Sequence, residues 1–203
     1  MNNKKIIFVG IIEDRLSTVD FIKGLLITFE YQLIYSNATG NIMILSNDNI
    51  NLIPISMKPM EAAEVDKFGF EFDFLIINII DSKFVKDTFL KTKFRNCDYY
   101  IINTDEDNLN LLSIESLDGI VITYGFNSKA TMTISSHIID QSMEASLCLQ
   151  REIITLFGDR VSSFEFIIEI QSKNKDHIYS VLAASILSLV MGEKIQLEKT
   201  IKI

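Results

Sequence analysis

The run Phe72–Ile80 constrains this 203-residue chain more than any other: Asp73 and Asn78 alone interrupt Phe72, Phe74, Leu75, Ile76, Ile77, Ile79 and Ile80. A strand so uniformly apolar has no side for water, so it must lie in a sheet covered on both faces, the usual setting of parallel strands. Lys5–Val9 reads as a second buried strand, short and apolar and followed by Gly10. After a brief loop, Ser17 is placed to cap a helix whose Val19, Ile22, Leu25, Leu26 and Phe29 repeat at helical spacing. Strand, loop and helix in that order open a nucleotide-binding α/β fold.

The rest of the chain extends this pattern. Gln32–Ser36 reads as a strand, and Asn41–Ser46 with Ile50–Ser56, separated by Asn47-Asp48-Asn49, as a hairpin. Pro59 suits a helix start, giving a short helix over Met60–Phe68. Ser82 is placed to cap a helix with Phe84, Val85, Phe89 and Leu90 inward; Tyr99–Asn103 is a strand, Asn108–Ser113 a short helix and Gly119–Gly125 a further strand. From Ala130 to Gln171 the period becomes alternating, as in antiparallel strands with one wetter face. Asp176–Met191 is a helix apolar nearly all round, stopped by Gly192, and Lys194–Ile203 is a final strand or extended tail. The expectation is an α/β, Rossmann-like, mainly parallel sheet flanked by helices, with an antiparallel section toward the C-terminal part, in one domain over residues 1–203.

Composition narrows the function. Nineteen basic against twenty-seven acidic residues give a net charge of −8, and with no basic cluster the phosphate backbone of nucleic acid is not an expected partner. The apolar run at Ile6–Gly10 meets Glu13, Asp14 and Arg15 without a small-residue cleavage site, and Val181–Met191 is too short to span a bilayer. Two cysteines, Cys97 and Cys148, form no CxxC pair, so neither a disulfide framework nor a zinc site is expected. A cytoplasmic location follows from that reading, with no membrane contact.

The segment Gly10-Ile-Ile-Glu-Asp-Arg15-Leu16-Ser17-Thr18 decides the chemistry. A phosphate-binding loop requires G-x-x-x-x-G-K-[ST] between strand and helix, with glycines for close backbone approach, a lysine for charge and a hydroxyl for magnesium. Gly10 and Ser17 stand at the right spacing, but Arg15 replaces the second glycine and Leu16 the lysine. Glu13 and Asp14 add negative charge where an anion would dock.

The order of short motifs resembles the central ATP-binding domain of the Mur ligases, the peptidoglycan amino-acid-adding enzymes, and of their folylpolyglutamate synthetase relatives. Phe8-Val9-Gly10 through Ser17-Thr18 is similar to that family's strand and phosphate loop, and Asp73–Asp81 to the strand presenting a metal-binding glutamate. Ile101-Ile-Asn103-Thr-Asp105-Glu106, within Asp98–Asp107, resembles the strand ending in Asn-x-Asp-Asp, and Val121–Gly125 the strand and glycine after it. His177–Ala184 is similar to the helix start Asn-x-x-Asn-x-x-Ala-Ala. The resemblance implies a nucleotide site on Gly10, Arg15, Ser17, Thr18, Asn103 and Asp105 and a part in cell-wall synthesis. Against it, the lysine is Leu16, the glutamate Asn78 and the two asparagines His177 and Ser180. An amide at Asn78 removes the anionic ligand that Mg²⁺ prefers.

The expected function is therefore a non-catalytic Mur-ligase-like module with a vestigial nucleotide site, weak ATP and Mg²⁺ binding at most, no catalytic or metal residues, and a protein partner or second copy to bind. The alternatives are a nucleotide-binding subunit of an ATP-dependent ligase completed by a partner chain, and an unrelated enzyme acting at the strand ends. Asp105, Glu106 and Asp107 read either as a cation site or as a solvated turn, and His177 beside Asp176 as a surface cap. His137, Cys97 and Cys148 read as structural, and Phe70, Phe72, Phe74, Phe164 and Phe166 as core.

Overall fold

The structure is a computed structural model and describes residues 4–15, 17–80, 96–105, 117–195 and 200–203. Leu16, the helix headed by Ser82, Asn108–Ser113, Glu106 and Asp107 lie outside the described residues.

One 11-stranded sheet organises the chain. In chain order its strands are β1 (Lys5–Glu13), β2 (Gln32–Ser36), β3 (Met43–Ser46), β4 (Ile50–Met57), β5 (Phe74–Asn78), β6 (Tyr99–Asn103), β7 (Ile120–Tyr124), β8 (Met132–Ile139), β9 (Met143–Leu149), β12 (Phe164–Ile170) and β13 (Ile201–Lys202). A separate small hairpin pairs β10 (Ile153–Ile154) with β11 (Arg160–Val161). Across the large sheet the order is β13-β12-β9-β8-β7-β6-β5-β1-β4-β3-β2. Strands β4, β1, β5, β6, β7 and β8 run parallel, while β2–β3–β4 on one side and β8–β9–β12 on the other are antiparallel. The fold is thus the expected mainly parallel α/β sheet, with a second antiparallel wing that the hairpin reading supplied.

Three described helices complete it: α1 (Thr18–Thr28), α2 (Pro59–Lys67) and α3 (His177–Val190). Alternation along each strand sends side chains to opposite faces. Ile7, Val9 and Ile11 of β1, Phe74 and Ile76 of β5, and Ile101 and Ile122 meet Val19, Ile22, Leu25 and Leu26 of α1 and the apolar length of α3 in one core. Ile12, Leu75, Ile77, Tyr100 and Ile102 form a second core with Ala62 of α2 on the opposite face. Helix α3 is buried on every side from Val181 to Val190, which explains its lack of a polar stripe.

The same alternation puts a polar residue last on the α1–α3 side of neighbouring strands. Ser56 ends that row on β4, Glu13 on β1, Asn78 on β5 and Asn103 on β6, and all four are buried. At the C-terminal ends of parallel strands, this row lies where α/β sheets bind ligands.

Candidate functional site

Strand β1 does not stop at Gly10. It continues through Ile11 and Ile12 to Glu13, which pairs in register with Asn78 of β5. Gly10 is inside the sheet, flanked by Ile55 and Leu75. A Cβ on it would sit 3.0 Å from Leu75 Cδ1 and from the Phe72 ring, so a larger residue there would press on both side chains. Only residues 14–17 join β1 to α1. The spacing in sequence puts Gly10 at the first position of a phosphate loop; in the fold it lies within β1, which runs on to Glu13.

The site is built around Glu13, which is fully buried. The Thr18 amide donates to Glu13 Oε2 at 3.1 Å and the Thr18 hydroxyl donates to the same oxygen at 2.6 Å. The Ser56 hydroxyl donates to Oε1 at 2.5 Å. Thr18 is the first residue of α1, so the carboxylate sits on the helix N-terminus, where exposed N–H groups and the helix dipole attract an anion. Burial pushes the Glu13 carboxyl above its ordinary value of 4.5, while the Ser56 and Thr18 donors pull it down.

Around this pair the polar groups close on one another. Asn78, 2% exposed, donates from Nδ2 to Thr18 Oγ1 at 2.8 Å and to Ser180 Oγ at 3.2 Å. Its Oδ1 has no partner among the described residues. Thr18 Oγ1, whose single proton goes to Glu13, lies 3.1 Å from Ser180 Oγ. Ser17 Oγ is 3.0 Å from Ser180 Oγ and makes no side-chain bond to the start of α1, so the expected N-cap is a bridge to α3. Arg15 is ion-paired with Asp176, just ahead of α3, and Asp14 Oδ1 accepts the Ile80 amide at 3.2 Å.

The other two nominated residues serve a neighbouring turn. Asn103 Oδ1 accepts the Asp105 amide at 3.1 Å. The Asp105 carboxylate takes the amides of Phe126 at 2.5 Å and Asn127 at 3.0 Å. Asn127 in turn donates to the Thr104 carbonyl and hydroxyl, each at 3.2 Å. Gly125 adopts φ +152°, and a Cβ there would collide with the Asp105 carboxylate. Asp105 is thus a clasp for the β7–β8 turn, close to the solvated-turn alternative but holding a different segment. His177 packs its ring against Phe21 with centroids 5.1 Å apart, and burial lowers its pKa.

Six nominations therefore fall into separate groups. Ser17 and Thr18 meet in the Glu13 network, Arg15 pairs at its rim, Asn103 and Asp105 hold the β7–β8 turn, and Gly10 is a packing position. In sequence Glu13 stands only as a repulsive charge, and Ser56 only as the end of a hairpin strand. Their signal was phase: each is a polar residue falling on the buried side of an alternating strand.

The residues do not fit the Mg²⁺ that such a loop would hold. The Thr18 hydroxyl oxygen accepts the Asn78 amide while giving its proton to Glu13, Asn78 supplies no negative oxygen, and Glu13, the carboxylate on Thr18 among the described residues, already takes three donors.

The sequence matches no protein-family model and none of the curated proteins. Among solved structures, a MurF ligase from Thermotoga maritima in complex with ADP superposes with a TM-score of 0.63 at 13% identity, over 97% of this chain and 48% of that one. The chain resembles the Mur ligases in fold. An Acinetobacter baumannii UDP-N-acetylmuramoylalanyl-D-glutamyl-2,6-diaminopimelate–D-alanyl-D-alanyl ligase gives 0.63 at 9% identity, covering 96% of this chain and 44% of that one. A murein peptide ligase from Psychrobacter arcticus gives 0.60 at 8% identity, covering 91% and 44%. This chain spans about half the length of these Mur ligases, and at such identities the likeness is one of fold.

Proposed function

We propose that this chain is a non-catalytic relative of the Mur ligase central domain, a single cytoplasmic unit that works as a binding or assembly module through a protein partner or a second copy of itself. The carrying observation is the Glu13 carboxylate seated on the N-terminus of α1, bonded by the Thr18 amide and hydroxyl and by Ser56. Phosphoryl transfer depends on positioning and on neutralising phosphate charge by metal and cationic groups. Here the first amide of the helix is already taken by Glu13, the Arg15 guanidinium is matched by Asp176, and an incoming triphosphate would meet a negative charge. A scaffold kept while its phosphate and metal groups are replaced is suited to binding.

A thermal-shift panel of ATP, ADP, GTP and UTP, each with and without Mg²⁺, tests the reading. A ligand that binds the native state raises its melting temperature in proportion to RT ln(1 + [L]/Kd). No Mg²⁺-dependent rise is expected; a rise of several degrees with any nucleotide overturns the proposal.

A further inference from the structure

Strand registers at the β2 end of the sheet line up an apolar row on the side away from α1. Phe8 of β1 is level with Ile53 of β4. The Leu45–Leu52 pairing, continued by the Ile42–Ile55 bridge, sets Ile44 of β3 beside Ile53, and Tyr35 of β2 is level with Ile44. Alternation fixes the side, because Ile7, Leu45 and Leu52, next along their strands, belong to the core under α1. Phe70 extends the row, its ring against that of Phe8 with centroids 5.1 Å apart. Ile6 stands two residues before Phe8 and so faces the same way.

No charged side chain enters this row, and water reaches much of it. Tyr35 is 52% exposed, Ile6 53% and Phe70 38%, and Ile44, Ile53 and Phe8 are half-buried. An aromatic side chain carries about 150–250 Å², so with the isoleucines the row leaves roughly 400 Å² of apolar surface in water, as much as the largest patch on a typical monomer. Its margin is polar: Gln32, Ser46 and Asn51 are level with one another, and Lys4 donates to Ser46 at 2.9 Å. An uncharged apolar centre with a polar margin is the anatomy of a protein contact. Two such faces, margins included, bury about 1,200 Å², where specific interfaces begin.

Charge selects the occupant. The chain carries −8, so two copies repel over most approaches, and an uncharged face lets them meet without opposing like charges. A two-fold contact sets a patch against itself, and a row of isoleucine and aromatic side chains on a sheet is its own complement. We propose that the Tyr35–Ile44–Ile53–Phe8 face is the contact between two copies of this chain, packed sheet on sheet about a two-fold axis. The assignment names the occupant that the assembly reading left open, and it rests on that reading.

Sedimentation velocity of the full chain between about 1 and 200 µM should show a monomer–dimer equilibrium with Kd near 10 µM. Tyr35→Lys and Ile6→Lys, both at exposed positions, should each weaken association at least tenfold by carrying a charge into the contact. Ile138→Lys, 67% exposed on β8 in the other wing, should not. Raising NaCl from about 0.05 to 0.5 M should tighten the dimer several-fold, since salt screens the repulsion between the two acidic chains. On the unaltered chain, the methyl resonances of Ile44 and Ile53 should shift with concentration. A chain that stays monomeric at about 200 µM gives the face to another occupant and overturns the assignment. So does a dimer that both lysine variants leave intact, a dimer that salt loosens, or concentration-dependent shifts confined to another surface. The thermal-shift panel reads the assembly reading separately: a monomer that binds no nucleotide overturns only this contact, and an Mg²⁺-dependent rise overturns that reading whether or not the dimer forms.

Discussion

Glu13 and Thr18 bond twice across the β1–α1 turn, amide to carboxylate at 3.1 Å and hydroxyl to carboxylate at 2.6 Å. The arrangement is that of an anion bound to a helix N-terminus, except that the anion belongs to the chain. With Ser56 on the other oxygen, the carboxylate replaces lost hydration by fixed donors, which is what allows a charge with no cation partner among the described residues to remain buried.

The first consequence is a pH dependence of stability. Burial holds the folded-state Glu13 pKa above 4.5, so the native chain binds this proton more tightly than the unfolded chain. The Glu13 contribution is then most favourable below the unfolded value and is lost as pH rises through the folded one. Glu13→Gln removes the titration. The melting-temperature difference, variant minus unaltered chain, should increase between pH 4.5 and pH 8; a difference independent of pH contradicts the assignment.

Thr18→Val should destabilise the fold by about 1–3 kcal/mol, since it strips a donor from a buried carboxylate and the acceptor from the Asn78 amide. Ser17→Ala should cost less, about 1 kcal/mol or below, because Ser17 is only half-buried and the substitution removes its hydroxyl contact with Ser180 while keeping its backbone bond to Glu13. Urea denaturation of both variants checks the order.

Gly10→Ala tests whether Gly10 packs the sheet or lines a loop. With a Cβ 3.0 Å from Leu75 and the Phe72 ring, overpacking should cost about 1–3 kcal/mol. No change in stability would return Gly10 to the loop.

Much of this fold was legible in local pattern. Tyr99–Asn103 and Gln32–Ser36 are strands with the bounds read from sequence, and the hairpin at Asn47-Asp48-Asn49 and the helix stop at Gly192 were visible as alternation and turn chemistry. The site was less legible because its partners are remote. Nothing near Gly10 announces Phe72, and nothing near Ser17 announces Ser180, 163 residues on. A glycine between apolar residues looks the same whether it opens a loop or lies under an aromatic ring, and a hydroxyl before a helix looks the same whether it caps or bridges.

The β7–β8 turn offers a separate check. Gly125→Ala puts a methyl group into the Asp105 carboxylate at φ +152° and should destabilise by about 2 kcal/mol or more. Asp105→Ala should free the Phe126 and Asn127 amides, which amide hydrogen exchange would report as lost protection.

Calorimetric titration of the unaltered chain with Mg·ATP tests the central claim most directly. No heat of binding is expected up to millimolar nucleotide, because the helix end that would take the phosphates already holds Glu13. Micromolar affinity that depends on Mg²⁺ would contradict it.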